Sequence, residues 1–431
     1  MSGHAGSLPS PRRVQGIYYV LVLGNTLAAS FIWGINTLFL LDAGLTNLEA
    51  FAANAFYTVG VLLFEIPTGV VADTLGRRWS YVLGCATLAV TTGLYWLMWV
   101  WEAPFWGWAL ASMLLGLGFT FFTGAVDAWL VDALHATGYE GSLERVFGRS
   151  VIVSGGAMLV GSVLGGVVAQ LTDLGVPFLL RAGVLVVMVV VAGVLMRDLG
   201  FTPDRSEGPI AATRTVLRSS LKYGLRNPPV RWLMLASPFT AGVGFYAFYA
   251  LQPYLLELWG DPEAYSVAGL AAALLSGSAM LGGFLAPAVR RLFRKRTSTI
   301  LLSTLTSVAV LLGLGLVQHF WAAVALVAVW GVMSSIDDPV HRAYLNDMIP
   351  SKQRATVLSF DSLMSSGGSA IAQPALGRAA DIGGYGFSLL LGGIVSAAAI
   401  PFVLLSRAQH DPADTASATL EGPAIDPATS V

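Results

Sequence analysis

The sequence predicts an all-α membrane protein with twelve transmembrane helices in two pseudo-symmetric six-helix bundles. Three observations lead there: a charge-poor apolar composition, twelve apolar runs of spanning length, and a duplication at one fixed offset. Hydrophobic residues make up 55% and charged residues 11% of the 431, and the mean hydropathy is +0.70. A soluble domain carries about 25% charged residues. A chain with so few charges cannot cover a water-facing surface, so its solvent is largely lipid. The net charge of −1 marks no acidic or basic partner, and no nucleic-acid partner is expected. A single cysteine, Cys85, allows neither an intrachain disulfide nor a cysteine metal site.

A spanning helix needs about 20 mostly apolar residues. Such runs lie near 17–41, 48–72, 79–101, 105–131, 150–172, 176–196, 231–257, 265–289, 298–318, 320–345, 355–380 and 385–406. They divide the chain into a polar, basic N-terminal segment (1–16), a first bundle (17–196), a polar linker (197–230), a second bundle (231–407) and a tail (408–431). The tail is rich in Ala, Pro, Thr and Asp and is expected to be disordered. With the N-terminus set in the cytoplasm, 22 of the 24 Lys and Arg residues fall on cytoplasmic segments. Only Arg181 and Arg378 fall toward the outer side. Basic residues are retained inside during insertion, so both termini are expected to be cytoplasmic, in the plasma (inner) membrane of the cell. One miscounted helix would swap the side of every later loop.

The duplication has an offset of 215. Phe39-Leu40-Leu41-Asp42 matches Tyr254-Leu255-Leu256-Glu257, with Phe31 and Trp33 matching Tyr246 and Phe248 upstream. Ala128-Trp129-Leu130-Val131-Asp132 matches Ala343-Tyr344-Leu345-Asn346-Asp347. Two parallel six-helix repeats are a transporter architecture with its site between the repeats.

The second loop carries Gly69-Val-Val-Ala-Asp73-Thr-Leu-Gly76-Arg77-Arg78. Gly69 permits close helix contact. Asp73 can accept from helix-terminal N–H groups of a neighbouring helix, and Gly76 allows a tight turn. Arg77 and Arg78 are planar donor forks suited to carboxylates, with Asp132 as a candidate partner of Arg77. This segment resembles the cytoplasmic signature of the major facilitator superfamily at every defining position. The resemblance implies a secondary transporter working by alternating access, with the motif latching the halves on the cytoplasmic side of the outward-open state. Plain positive-inside anchoring is the alternative. The copy after span 8, Gly283 to Arg290, keeps the glycine and has Pro287 in place of the aspartate. Span 5, with Gly155, Gly156, Gly161, Gly165 and Gly166, resembles the glycine-rich fifth helix of the family's proton antiporters without its Gly-Pro step. A tight helix seam explains it equally well.

A mid-bilayer charge costs at least about 2.5–3.5 kcal/mol, yet several acids fall inside spans. Glu65 shares a stripe with Asn54, Thr58 and Val61, about 12 Å deeper than Asp73 at 1.5 Å per residue, with no basic residue near it in sequence. It is the leading proton-coupling candidate. Asp337 and His341, four residues apart, are the second, as a carboxylate–imidazole pair. Asp127 and Asp361 are further candidates, with helix capping or pairing to Arg as the structural alternative. Outer-side ion pairs of Arg181 and Arg378 with Asp173 and Asp381 are also possible by spacing. Trp33 and Asn36, with Asn54, and Phe245, Tyr249 and Gln252 on one face of span 7, are the candidate cavity residues. Packing or interfacial anchoring is the alternative for the aromatics.

No nucleophile-elbow, zinc-protease or phosphate-loop signature occurs in the sequence, so an enzyme is not indicated, and neither a cofactor nor a metal is expected. The resemblance and the apolar cavity candidates point to a proton-coupled exporter of small hydrophobic or amphipathic compounds, acting as a monomer. A proton-linked importer of a nutrient is the alternative, and a transporter-like receptor a more distant one.

Overall fold

A computed structural model describes residues 9–203, 225–349 and 354–415, without the side chains of 354–357 and 359. Most of the linker and of the tail lies outside the described residues. The described chain forms α1 (Pro11–Trp33), α2 (Asn36–Asp42), α3 (Asn47–Leu75), α4 (Arg77–Val100), α5 (Phe105–Thr120), α6 (Ala125–Ala136), α7 (Leu143–Leu171) and α8 (Val176–Leu195). After the linker come α9 (Pro228–Trp259), α10 (Tyr265–Leu292), α11 (Arg296–Leu316), α12 (Phe320–Met348), α13 (Arg354–Ala397) and α14 (Ala399–Ala408). Helix starts follow local chemistry. Thr46 and Glu49 close a reciprocal capping box on α3, Ser142 accepts from the Arg145 N–H on α7, and Pro stands in the first turn of α1, α8 and α9.

Two predicted spans are broken. Span 1 stops at Trp33 and resumes at Asn36, and span 4 stops at Thr120 and resumes at Ala125 after Gly124 in the left-handed region (φ 71°). Apolar length alone cannot reveal such breaks. Conversely, α13 reads as one helix but turns back at Gly384 (φ 79°, ψ 174°). A Cβ on Gly392 would stand 3.7 Å from Leu376 Cδ1. Sixteen residues of straight helix would hold them about 24 Å apart, so α13 is a hairpin of two arms. The eleven apolar segments of spanning length among the described residues therefore make twelve crossings.

The halves are related by a pseudo-twofold axis. Across the seam α3 packs on the first arm of α13, and α7 packs on α10. These are spans 2 on 11 and 5 on 8, two copies of one contact. Residues matched by the 215 offset meet on the axis: Trp33 packs edge-on to Phe248 at 6.0 Å, and the Thr37 N–H donates to Gln252 Oε1 at 2.9 Å. One core lies in the first half around Tyr18, Phe39, Tyr81, Trp108, Trp129 and Phe178, and two smaller ones lie in the second. Large apolar side chains such as Phe284, Leu171, Trp321 and Ile371 stand exposed on the outside, the surface that lipid covers.

Candidate transport site and gates

The end of the molecule bearing Arg77, Arg145 and Arg296 is the basic end; the opposite one is the far end. The halves are joined at the far end. Gln252, buried on α9, accepts the Thr37 N–H in the first turn of α2 and donates to Trp33 O at 2.7 Å. The Thr37 hydroxyl donates to Tyr249 O at 3.0 Å. Asp381 accepts the N–H groups of Asn47 and Leu48 at 2.9 and 3.0 Å, capping α3 from the other half, and the Tyr385 hydroxyl bonds the Asn47 side chain. Glycines let the backbones close: a Cβ on Gly269 would stand 2.6 Å from Ser162 O, and one on Gly34 would stand 2.9 Å from Gly269 Cα. Arg378 reaches Asp381 only at 4.0 Å, and Asp173 caps its own turn through the Gly175 and Val176 N–H groups. The ion pair expected between Arg181 and Asp173 does not form.

At the basic end no described residue lies within 4 Å of a Cβ placed on Gly69. The close contact expected of Gly69 is absent in this conformation. Asp73 caps no helix; it pairs with Arg77 at 2.6 Å, half exposed. The group that caps α4 is Asp198, just past α8, whose Oδ1 accepts the Arg78 N–H at 2.9 Å. Burial pushes the Asp198 carboxyl up, against the pull of the Arg78 and Arg77 N–H groups and guanidiniums. Gly76 (φ 106°) is required twice over, since a Cβ there would also stand 2.3 Å from Asp198 Oδ2. Arg78 bonds Gly193 O, and Arg77 lies over the Phe201 ring at 5.8 Å. Arg77 does not pair with Asp132, because Asp73 is one helical turn away and takes its place. The aspartate partner expected from span 4 occurs in the other repeat: Arg296 pairs with Asp347, the offset mate of Asp132, at 2.7 Å. The second half also repeats the cap. Asp414, past α14, accepts the Thr297 N–H and hydroxyl at 2.8 and 2.9 Å, as Asp198 does past α8.

Two polar clusters sit in the same three spans of each half. In the first, the Tyr18 hydroxyl donates to Asp127 at 2.8 Å and lies 3.3 Å from Ser150. In the second, Asp361 accepts from the Ser237 hydroxyl at 2.8 Å and lies 3.2 Å from His341 Nε2. His341 therefore bonds Asp361 on α13, not Asp337 as the spacing suggested. Asp337 stays close, with its Oδ1 buried and without a hydrogen-bond partner. Asp338 pairs outward with Arg342 at 2.9 Å. Glu65 is only partly buried, and its side chain bonds no described residue. The rest of its stripe faces the seam: Asn54 accepts from Asn36 at 3.0 Å and Thr58 from Gln373 at 3.4 Å. Phe245 is half exposed one turn below Tyr249.

Two comparisons bear on this architecture. A sequence model of the Major Facilitator Superfamily matches residues 18–303 and 264–429. The chain belongs to the Major Facilitator Superfamily. Among curated relatives of this superfamily, an uncharacterized MFS-type transporter of Methanocaldococcus jannaschii is 20% identical over 235 residues, which are 54% of this chain and 58% of that one. The chain thus matches less than two thirds of that relative's length. Solved superfamily structures share the fold. The nucleoside transporter NupG superposes with a TM-score of 0.76 over 92% of this chain and 99% of that one, at 10% identity. The POT family transporter PepTSo gives 0.72 over 93% and 99%, at 12% identity. A bacterial homolog of the human lysosomal transporter Spinster, in an inward-facing and unoccupied conformation, gives 0.65 over 96% and 100%, at 16% identity. This member is accordingly a multi-pass membrane transporter, not an enzyme.

One buried charge was misjudged by spacing. Arg181 lies in the buried stripe of α8 with Phe178, Leu185, Met188 and Ala192. It was read as an outer-end charge because it stands five residues into its span. Its position three after Phe178 and four before Leu185, both core residues, is the signal that it faces inward.

Proposed function

We propose that this transporter is driven by protons, and that it exports small amphipathic compounds by alternating access with the basic end in the cytoplasm. The observation that carries the coupling is the Ser237–Asp361–His341 cluster with Asp337 unpaired beside it. Coupling needs a group whose protonation changes a contact between moving elements. The His341–Asp361 contact joins α12 to α13, and α13 packs against α3 of the other half. A proton gained or lost by an imidazole, which ordinarily titrates near neutrality, changes that contact. A proton taken by Asp337 changes the charge beside it. Glu65 has no such contact among the described residues, so it ranks behind the cluster. The glycines of span 5 have a packing role, since Gly161 and Gly165 meet α1 and Gly166 meets α10, so they do not decide direction.

The test is proton flux in proteoliposomes loaded with a pH dye, challenged with a panel of amphipathic compounds. Substrate-dependent proton movement should be present in the wild type, lost in His341→Asn and Asp361→Asn, and retained in Asp338→Asn. An antiporter moves protons against the direction of substrate and an importer by symport moves them with it. Flux unchanged in both His341→Asn and Asp361→Asn would remove the cluster from the mechanism, and Glu65→Gln would then be the variant to measure.

A further inference from the structure

Arg181 is 9% exposed and makes no hydrogen bond or ion pair with any described residue; its Nε is buried without a partner. It stands about 7–8 Å inside the far end of α8 at 1.5 Å per residue. The ionisable side chains around it are Tyr57 of α3, Tyr95 of α4 and Tyr249 of α9, with no carboxylate among them. They come from both halves. Tyr249 is also the residue whose carbonyl takes the Thr37 hydroxyl, so Arg181 lies beside the contacts that join the halves at the far end.

A buried guanidinium is costly unless paired and hydrogen-bonded. Helix packing does not require it, since its stripe on α8 is otherwise apolar. The donors it meets make the point sharper. Tyr95 is committed to Ser112, whereas the Tyr57 and Tyr249 hydroxyls bond no described residue. Arg can only donate, and the two hydroxyls are free to donate. A donor fork and two hydroxyls free to donate, with no carboxylate among them to balance the charge, fit an anionic group that only accepts.

We propose that Arg181, with Tyr57 and Tyr249, binds a carboxylate of the transported molecule, so that the substrates are small organic monocarboxylates with an apolar body. The guanidinium fork matches a planar carboxylate through two parallel bonds, and the single positive charge at the site balances one negative charge, not two. The apolar body fits the aromatic side of the seam, where Trp33 meets Phe248. This deepens the transport reading and rests on it.

The experiment is binding to the full chain in lipid nanodiscs, measured calorimetrically with benzoate, its neutral isostere benzamide, and inorganic phosphate. Benzoate should bind and benzamide and phosphate should not. Arg181→Gln should weaken benzoate about 10- to 100-fold, the range for a hydrogen-bonded charge, and Tyr57→Phe should weaken it less. Arg181→Lys keeps the charge and should restore part of the affinity, which guards against misfolding of the Gln variant. Equal binding of benzamide, binding of phosphate alone, or benzoate affinity unchanged in Arg181→Gln would each overturn the proposal. Loss of benzoate binding with His341-dependent proton flux intact would sink the anion site and leave coupling standing. Arg181-dependent binding without proton flux would do the reverse.

Discussion

Gln252 is one of the side chains that join the halves at the far end, and its contribution can be worked out. It accepts the Thr37 N–H at 2.9 Å and donates to Trp33 O at 2.7 Å, while 3% exposed. The Thr37 N–H is in the first turn of α2, one of the donors a helix leaves unpaired, and Trp33 O is the last carbonyl of α1. Gln252→Met keeps volume and removes both bonds. With the far end closed, two buried groups then lack partners, at about 1 kcal/mol or more each; with it open, water satisfies them. The change of about 2–3 kcal/mol corresponds to a shift of roughly 30- to 150-fold toward the open far end. Spin labels at exposed Thr172 and Asp261, in a Cys85→Ala background, report the far end, and labels at Glu140 and Arg291 report the basic end. Pulsed resonance should show the first pair gaining a longer distance and the second a shorter one. Distributions unchanged in Gln252→Met would refute the assignment of the gate to this residue.

Other perturbations follow from the same contacts. Asp198→Ala should cost about 1 kcal/mol through loss of the α4 cap, whereas Asp198→Asn keeps an acceptor and should cost less. Burial holds the Asp198 carboxyl above its ordinary value, so its contribution to stability is present below the unfolded value and is lost as pH rises through the folded one; thermal melts against pH should show that slope flattened in Asp198→Asn. Gly69→Leu meets open space in this conformation and should leave binding intact while lowering transport at least about tenfold, if the opposite state brings a helix onto Gly69; transport at the wild-type rate would exclude that contact. An impermeant thiol reagent on intact cells should label a cysteine at Thr172 and not one at Glu140, and the reverse pattern would invert the orientation proposed here.

The spans, their number and the duplication were legible because each is written in apolar length and repeated pattern. Breaks at Gly34 and Gly124 were not, since a glycine in an apolar run looks the same whether packed or unwound. The latch motif was legible as residues but not as contacts. Asp73 was given the capping role that Asp198 fills, because a loop residue 122 positions after Gly76 enters the turn only in three dimensions. His341 was matched to Asp337 by helix spacing, while its partner Asp361 comes from another helix. Arg181 was misjudged for the opposite reason: its distance from the span end was counted, and its place in the buried stripe was not.

If protons act at Asp361 and a carboxylate at Arg181, one element is common to both. α9 carries Ser237, which bonds Asp361, and Tyr249, which faces Arg181, together with Gln252 at the gate. Ser237 and Tyr249 are twelve residues apart, about 18 Å along a helix. Pro238 lies between them, inside α9, where it removes a backbone hydrogen bond and permits a bend. Gly368 closes on this point, for a Cβ there would stand 2.4 Å from Pro238 Cα. Protonation that alters the Ser237–Asp361 contact therefore acts next to Pro238, and flexing of α9 there would carry Tyr249 and Gln252 with it. Pro238→Ala replaces none of the proposed binding groups and restores the backbone donor whose absence permits a bend. It should preserve benzoate affinity within about threefold and lower the protons moved per substrate. Proton movement per substrate equal to wild type would show that the two sites communicate by another route.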